Sequence, residues 1–289
     1  MSVSLLVLGA VGSGLPDRAA AAEWAWLQTC AGEPQAECTL WLNHATRLPT
    51  LEVQHAGAAL TSRYESFVDS GSPSSSIWYV NPTGLDRAQV AALQQGLVAA
   101  GQRFRGHQAN GLYLAGPGLM GVATLDQPSS AFIAAAADLT PQTGARVAAQ
   151  LETIAQILGG TPHARRTLFW LDPAFAVSAG EIERLRAVLR QQQVRLVAIR
   201  LLRGEVDRNQ GTAVSALAGD TGGLYLERLQ GAWSGALTGL ADYADNGGRL
   251  RFDVPAACGS QSLRFRASGA NGESLSTEWT GQFRACPEP

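Results

Sequence analysis

The sequence predicts an α/β protein in which a mainly parallel β-sheet, with helices on both faces, is inserted in a small antiparallel β-sandwich formed by both termini. Two observations carry this prediction. Strand and helix patterns alternate from residue 77 to residue 245, which is typical of a parallel sheet covered on both faces. Short, partly alternating strands lie on both sides of this segment, so the two β-rich ends are expected to pair with each other.

Composition narrows the class of protein further. The chain has 289 residues, of which 46% are hydrophobic and only 16% are charged, so it can bury a large core and is not disordered. Its formal net charge is -2, which gives no basic field for nucleic acid or anionic lipid. No apolar run approaches the roughly 20 residues of a membrane-spanning helix. We therefore expect neither a nucleic-acid partner nor a stable transmembrane segment.

Residues 1–22 are predicted to be a secretory signal peptide. An apolar run from Val3 to Leu15 is followed by small residues, Ala20–Ala22, that fit a cleavage site, although no basic residue precedes Arg18. Alternatively the apolar run is a buried strand. A weaker alternative adds a phosphate-binding turn of the dinucleotide type, whose glycines would be Gly9, Gly12 and Gly14.

The number and spacing of the cysteines also favour an exported protein. An even number of cysteines without a C-x-x-C motif favours disulfides over zinc, and three connectivities are possible. We predict the sequence-local pairs, Cys30 with Cys38 and Cys258 with Cys286. Four buried free thiols in a cytoplasmic protein are the alternative. A periplasmic or secreted bacterial protein is the location that these features favour.

The β-rich ends are residues 23–76 and 246–289. Within them, breakers such as proline and glycine separate the short strands, and residues 70–76 have the composition of a linker. The predicted strands are Thr39–Leu42, Leu51–His55, Tyr64–Val68, Leu250–Val254, Leu263–Ala267 and Glu278–Phe283.

The α/β segment, residues 77–245, has clearer signals. Asp86 with Gln89 and Ser178 with Glu181 have the spacing of capping boxes, so a helix is expected to begin after each pair's first residue. Further helices are expected over residues 128–137, from Thr143 to about residue 158, over 211–218 and from Trp233. The predicted strands are Ile77–Val80, Leu112–Ala115, Met120–Leu125, Thr167–Leu171, Val194–Arg200 and Leu224–Leu226.

Four stretches of this segment carry a family resemblance. They are IWYVNPTGLD (77–86), LFWLDP (168–173), VRLVAIR (194–200) and LAGDTGGLYL (217–226). Together they resemble a von Willebrand factor type A domain over roughly residues 77–245. The resemblance implies a Rossmann-like parallel sheet whose loops, at the carboxyl edge, bind another protein.

The resemblance also implies a metal-ion-dependent adhesion site, which this sequence has in degraded form. The family's D-x-S-x-S turn becomes Asn81, Thr83 and Leu85, so one carboxylate and one hydroxyl are lost. The family's loop threonine corresponds to Thr140 or Thr143, and its later aspartate to Asp172. Because Mg²⁺ needs hard oxygen ligands and charge compensation, we expect no metal and no other cofactor.

We therefore expect the loops to form a metal-independent binding surface for another protein, with the chain acting as a non-enzymatic binding or assembly module. Its residues would be Asn81, Thr83, Leu85, Thr140, Thr143, Asp172 and Phe175. In another interpretation these residues only cap turns. Two alternative functions stay open: a hydrolytic or nucleotide-using enzyme with Asp172 as its acid, which needs His163 nearby, and a purely structural subunit of an envelope complex.

Overall fold

The structure, a computed structural model, describes residues 25–31, 34–43, 50–141, 146–202, 211–255, 259–268 and 274–284. None of the helices in these ranges is long and apolar enough to cross a membrane. Residues 1–22, with the predicted signal peptide, lie outside the described residues, as do Cys258, Cys286 and Thr143.

The described residues form strands and helices in the following chain order. The strands are β1 (Ala25–Ala31), β2 (Gln35–Leu42), β3 (Thr50–His55), β4 (Ala58–Leu60), β5 (Ser62–Ser66), β6 (Ser74–Val80), β7 (Gln108–Leu114), β8 (Met120–Ala123), β9 (Arg165–Asp172), β10 (Arg195–Leu202), β11 (Leu224–Leu229), β12 (Gly247–Asp253), β13 (Gly259–Ser268) and β14 (Ser274–Arg284). The helices are α1 (Phe67–Ser70), α2 (Arg87–Gly101), α3 (Ser129–Ala137), α4 (Val147–Gly159), α5 (Ala179–Gln191), α6 (Thr212–Asp220) and α7 (Trp233–Tyr243), which follows a short 3-10 turn.

The central sheet has the strand order β11-β10-β9-β6-β7-β8. All neighbours are parallel except β7 and β8, which are antiparallel and lie on either side of a Gly-Pro-Gly turn. Both predicted capping boxes are present at the starts of α2 and α5. The mainly parallel sheet that the alternating pattern predicts is therefore confirmed.

Helices cover both faces of this sheet, and each face has its own apolar core. Trp78 and Phe169 stack on one face, with ring centroids 4.3 Å apart, beneath α2, α3 and α7. Leu168 and Trp170 belong to the core on the other face, which α4, α5 and α6 cover. Because side chains alternate along a strand, continuous apolar runs such as LFWL supply both cores at once.

The chain ends form the predicted sandwich. One sheet has the order β1-β2-β12-β5 and the other β14-β13-β3-β4, and all their pairings are antiparallel. Strand β12, from the C-terminal part, lies between β2 and β5 from the N-terminal part. Leu40 and Leu250 from the first sheet share a core with Val53 and Phe265 from the second. The α/β segment is thus inserted between the two halves of a sandwich.

One expectation about the entry to the α/β segment is wrong. Residues 70–76 have a linker's composition, yet Ser74–Ser76 form the first half of β6 and are buried. They hydrogen-bond in register with β7 on one side and β9 on the other. Ladder pairing with two neighbours outweighs the weak strand propensity of serine, so the α/β segment begins at Ser74.

The register of β1 and β2 bears on the N-terminal cysteines. Cys38 is disulfide-bonded and buried, and Cys30 lies opposite it in the backbone register. Directly opposite positions in an antiparallel pair have Cα separations that a disulfide can span. The register therefore favours the predicted pair of Cys30 with Cys38.

A buried junction of charged and aromatic side chains joins the sandwich to the α/β segment. The Asp245 carboxylate, which is fully buried, accepts hydrogen bonds from Arg165, from Gln108 Nε2 at 2.7 Å and from Arg105 Nη1 at 3.2 Å. The Arg165 guanidinium also lies 3.9 Å from the ring centroid of Phe67, which belongs to the sandwich side. One carboxylate thus orders donors from β7, from β9 and from the segment between α2 and β7.

A second arginine of this junction has no carboxylate partner among the described residues. The Arg195 guanidinium is buried between Trp41, at 3.8 Å from the ring centroid, and Tyr243, at 4.3 Å. Desolvation lowers the pKa of Arg195 to about 10, so the group still carries its charge at neutral pH. Cation–π attraction in a desolvated site, about 2 kcal/mol for each ring, offsets part of the cost of burying this charge.

We expect Asp245→Ala to lower the free energy of unfolding by about 3–5 kcal/mol, because it leaves the buried Arg165 guanidinium without a counter-charge. Asp242→Ala is the matched control. Asp242 pairs with Arg103 at the surface, where their side chains are 36% and 55% exposed, so its loss should cost less than about 1 kcal/mol. Urea unfolding of both variants measures this difference, and equal costs would contradict the role given to Asp245.

Candidate functional site

The predicted site residues lie at the carboxyl edge of the central sheet. Strands β6 and β9 are neighbours in this sheet and end at Val80 and Asp172. The backbone N–H of Asn81 donates to the Leu171 carbonyl at 2.8 Å, and that of Ala115 to the Val80 carbonyl at 2.9 Å. These bonds extend the ladder past the strand ends, so the loops that follow β6, β7 and β9 start side by side.

Asp172 is the centre of this edge. Its side chain is fully buried, and its Oδ1 accepts hydrogen bonds from the backbone N–H groups of Ala174 at 2.7 Å and Phe175 at 2.9 Å. Its Oδ2 accepts from Asn81 Nδ2 at 2.8 Å and from Trp170 Nε1 at 3.3 Å. A carboxylate has about four lone-pair directions. Protein donors therefore fill all of them.

Burial and these hydrogen bonds act on Asp172 in opposite directions. Desolvation is the larger effect and raises the pKa of the carboxyl, because it disfavours the charged form. The hydrogen bonds from Ala174, Asn81, Phe175 and Trp170 lower it in part, because they stabilise the anion. Losing one donor from this set would therefore leave the carboxyl with a still higher pKa.

The turn after β9 is shaped around this carboxylate. Phe175 has a backbone φ of 48°, in the left-handed region, which is rare for a bulky residue. Its ring is buried and packs edge-on against Trp170, with centroids 4.5 Å apart. The Asp172 oxygen and the Trp170 ring together hold this backbone conformation, while Ala174 and Ala176 are left exposed on the outside of the loop.

The turn after β6 is tied to the same carboxylate through Asn81. While its amide nitrogen donates to Asp172, its Oδ1 accepts a hydrogen bond from the Thr83 backbone N–H at 3.2 Å. Leu85 packs partly buried against the core below α2 and α3. Gly84 has a φ of 78°, a conformation that glycine adopts without strain. Asn81 thus joins the loop after β6 to the loop after β9.

The third loop of the edge lies between α3 and α4. Thr140 is exposed there, and the neighbouring Leu139 carbonyl accepts a hydrogen bond from Gln94 of α2 at 3.0 Å. Sequence reasoning missed Gln150, whose buried side chain accepts from the Tyr79 hydroxyl at 2.7 Å and donates to the Gly116 carbonyl at 2.8 Å. A polar residue on the apolar face of α4 was the available signal.

The predicted surface residues separate into two groups. Thr83 and Thr140 are exposed and Leu85 is half-buried, so these side chains lie at the outer surface of the loops. Asn81, Asp172 and Phe175 are only 8%, 0% and 4% exposed, which corrects the expectation that their side chains form that surface. They are buried because they fix the loop backbones from below.

Among the described residues, Asn81, Asp172 and Leu85 leave few free oxygen lone pairs for a divalent cation. Mg²⁺ requires several hard oxygen ligands with free lone pairs. The Asp172 oxygens are already occupied, the Asn81 oxygen accepts the Thr83 N–H, and Leu85 has an apolar side chain. In the part of the chain that the structure describes, no cluster of three or more His, Cys, Asp or Glu side chains is arranged to hold a metal.

The two residues of the enzymatic alternative, His163 and Asp172, are not close to each other. His163 precedes β9, whereas Asp172 ends it, so the length of the strand separates them. His163 instead contacts Ser75, whose Oγ lies 2.8 Å from the His163 Nδ1. Ser75 is buried in the middle strand β6, and Asp172 lies at the other end of the sheet. Within the ranges that the structure describes, Asp172 therefore has no histidine partner.

A further polar cluster at this edge was not foreseen from the sequence. Arg200 lies beside Asp172 in the register of β10 and β9, and its Nη1 is 3.3 Å from Glu227 Oε1. The Tyr225 hydroxyl donates to the same oxygen at 2.7 Å. Burial raises the pKa of Tyr225, so this phenol stays a donor at neutral pH. The cluster extends the ordered edge towards β11.

The fold and the site together define a class of protein, in which an inserted α/β sheet has an ordered carboxyl edge. No protein-family model matches the sequence, and no curated protein matches it. Among solved structures, the chain is similar to a von Willebrand factor type A protein from Catenulispora acidiphila, with 10% identity, a TM-score of 0.51 and coverage of 90% of this chain and 72% of that one. The manganese-loaded TRAP protein of Plasmodium vivax has 11% identity and a TM-score of 0.49, over 78% of this chain and 98% of that one.

The Catenulispora likeness establishes the fold: the α/β segment is a von Willebrand factor type A fold, as the resemblance in the sequence implied. The matched share, 90% of this chain, is larger than the α/β segment alone, so the likeness extends into the β-rich ends. At this identity the match concerns architecture, and the chemistry of the edge rests on the contacts described above.

We expect Asn81→Asp to lower the free energy of unfolding by about 3 kcal/mol near neutral pH. The substitution removes a donor to Asp172 and places a second buried carboxylate against it. Both effects raise the pKa of the pair in the folded state, so the loss should be largest near pH 7 and shrink as the pH falls towards about 4. Thr83→Asp adds the same charge at an exposed position of the turn, and it should cost less than about 1 kcal/mol at either pH.

Chemical denaturation of both variants at the two pH values measures these differences. An Asn81→Asp protein as stable as the wild type at neutral pH would show that the bond between Asn81 and Asp172 does not hold the loops.

Proposed function

We propose that this chain is an exported, non-enzymatic module that binds another protein through the loops at the carboxyl edge, without a metal ion. The observation that carries the proposal is the Asp172 carboxylate, whose oxygens all accept hydrogen bonds from the protein. Internal hydrogen bonds do here what a cation does in adhesion sites of this fold: they hold the loops together. The edge is ordered before any partner arrives.

The outer surface of these loops supports direct contact with a protein. Five of the exposed residues, Thr83, Gly84, Pro117, Thr140 and Ala174, are small and uncharged. Such residues let a partner's backbone approach closely, and a preformed loop loses little conformational entropy on binding. A partner would therefore be recognised by shape and by hydrogen bonds to backbone and hydroxyl groups.

Export is proposed from the sequence together with the cysteines. The apolar start of the chain resembles a signal peptide, and Cys38 is disulfide-bonded. Disulfides persist in oxidising compartments such as the periplasm. These features favour a periplasmic or secreted place of action.

Site-specific photo-crosslinking in the producing organism tests the proposal. A photoreactive amino acid at Thr83 or at Ala174, both exposed at the edge, should yield a covalent adduct with one partner protein. Gly106 is the control, because it is exposed between α2 and β7, at the opposite edge of the sheet. Adducts from Gly106 but not from the edge positions would overturn the assignment of the surface.

The same adducts should form equally with a chelator and with added Mg²⁺. If a chelator abolished them and Mg²⁺ restored them, the binding surface could stand but its independence of metal would be refuted.

A further inference from the structure

A layer of buried polar side chains lies at the amino end of the central sheet, on the face that α2, α3 and α7 cover. Ser74, Arg165 and Arg195 are the first residues of β6, β9 and β10. Asn110, in β7, accepts a hydrogen bond from Trp78 Nε1 at 3.4 Å. Because side chains alternate along a strand, all four lie on the same face of the sheet as Trp78. Each is at most 5% exposed, so bulk water does not reach this layer.

Several donors of this layer have no acceptor in the part of the chain that the structure describes. They are Asn110 Nδ2, Arg165 Nε and two atoms of Arg195, Nε and Nη1. All of them are N–H groups, so each needs an acceptor. Buried N–H groups of folded proteins are nearly always paired, with the protein, with ordered water or with an ion. An acceptor from outside the chain is therefore expected in this layer.

The charges of the junction favour an anion as that acceptor. Two guanidinium groups, those of Arg165 and Arg195, are buried together with one carboxylate, that of Asp245. Asp245 is also shared with the half-exposed Arg105. Positive charge is thus in excess here, although the whole chain has a net charge of -2. Because a buried charge without a counter-charge is costly, a negative ligand satisfies this layer better than water does.

The surroundings of Arg195 restrict the kind of anion. The rings of Trp41 and Tyr243 cover the two flat faces of the guanidinium, and Arg195 Nη2 donates to the Tyr243 carbonyl at 3.1 Å. Ring faces carry partial negative charge, so an anion must approach the guanidinium in its own plane, where Nε and Nη1 point. Arg195 is fully buried, and the excess is one buried positive charge. A small monovalent anion fits these conditions.

We propose that the junction between the sandwich and the α/β segment binds one small monovalent anion, with the properties of chloride, at the Arg195 guanidinium. The ion accepts hydrogen bonds from N–H groups that the chain leaves unpaired, and it balances the second buried arginine. Hydrogen bonds between two charged groups are the stronger kind, which favours the ion over water. The inference does not depend on the proposed function of the loop edge.

Thermal unfolding of the full chain in mixtures of sodium chloride and sodium gluconate, at one total ionic strength, tests the proposal. Gluconate is too large for a buried site, and it keeps the screening of surface charges constant. A ligand that binds only the folded state raises Tm as its concentration rises. We expect chloride at about five times its dissociation constant to raise Tm by about 2–4 °C.

Two variants assign this response to the site. Arg195→Met removes the charge and the N–H groups but keeps an unbranched side chain, so its Tm should not rise with chloride. Arg103→Met is the matched control, because Arg103 pairs with Asp242 at the surface of the same junction and its side chain is 55% exposed. It loses the same charge but should keep the full response. Each protein is compared with itself, so a lower starting Tm of either variant does not affect the result.

A rise of Tm with chloride in the wild type and in Arg103→Met, absent in Arg195→Met, supports the proposal. A wild-type Tm that does not rise with chloride overturns it, and the donors are then satisfied by water. An equal rise in Arg195→Met, or a loss of the rise in Arg103→Met, also overturns it, since the response then belongs to the surface charges.

Bromide is a close substitute for chloride and scatters X-rays anomalously, so crystals of the wild type grown in sodium bromide locate the ion without any variant. An anomalous peak within hydrogen-bond distance of the Arg195 guanidinium supports the proposal. Peaks confined to the protein surface mark adventitious ions only, and they overturn it.

Discussion

The loop edge of this protein depends on how one buried carboxylate is satisfied. Asp172 has no contact with solvent, and a bare charge in that position would be very costly. Four donors from two loops and a neighbouring ring remove most of that cost. The Asn81 amide nitrogen donates to this carboxylate, so the two loops are joined by a bond that needs no ligand.

A second polar centre acts at the opposite end of the sheet. Asp245 orders the arginines where the α/β segment meets the sandwich, and Trp41 packs on the charged face of Arg195. Both centres are buried, and both use a single carboxylate to fix several segments. The difference lies in their donors: neutral amides and N–H groups at the carboxyl edge, guanidinium groups at the junction. The first holds the loops at the carboxyl edge together, while the second joins the α/β segment to the sandwich.

Much of the fold could be predicted from the sequence because its signals are local. The capping boxes at Asp86 and Ser178 and the buried run before Asp172 each depend on a few neighbouring residues. The serines of β6 have the composition of a linker, yet they form a strand because they pair with neighbouring strands on both sides. Composition does not reveal this pairing.

The site was predictable only in part, for a similar reason. Sequence order identified Asn81 and Asp172, but not that their side chains bond directly, nor that Phe175 is turned inward. Gln150 and the cluster of Arg200, Glu227 and Tyr225 come together only through the parallel register. The spacing of these residues along the chain does not indicate that their side chains come together.

The insertion has a consequence for how the polypeptide reaches its native state. Strand β12 completes the first sheet by pairing with β2 and β5, and the side chain of Gln35 bonds Asp253, 218 residues later. Pairings so remote in sequence form slowly, and during synthesis the early strands must wait for the last ones to leave the ribosome. Until then their apolar faces are open to water. The incompletely folded chain therefore stays prone to aggregation until β12 has been made.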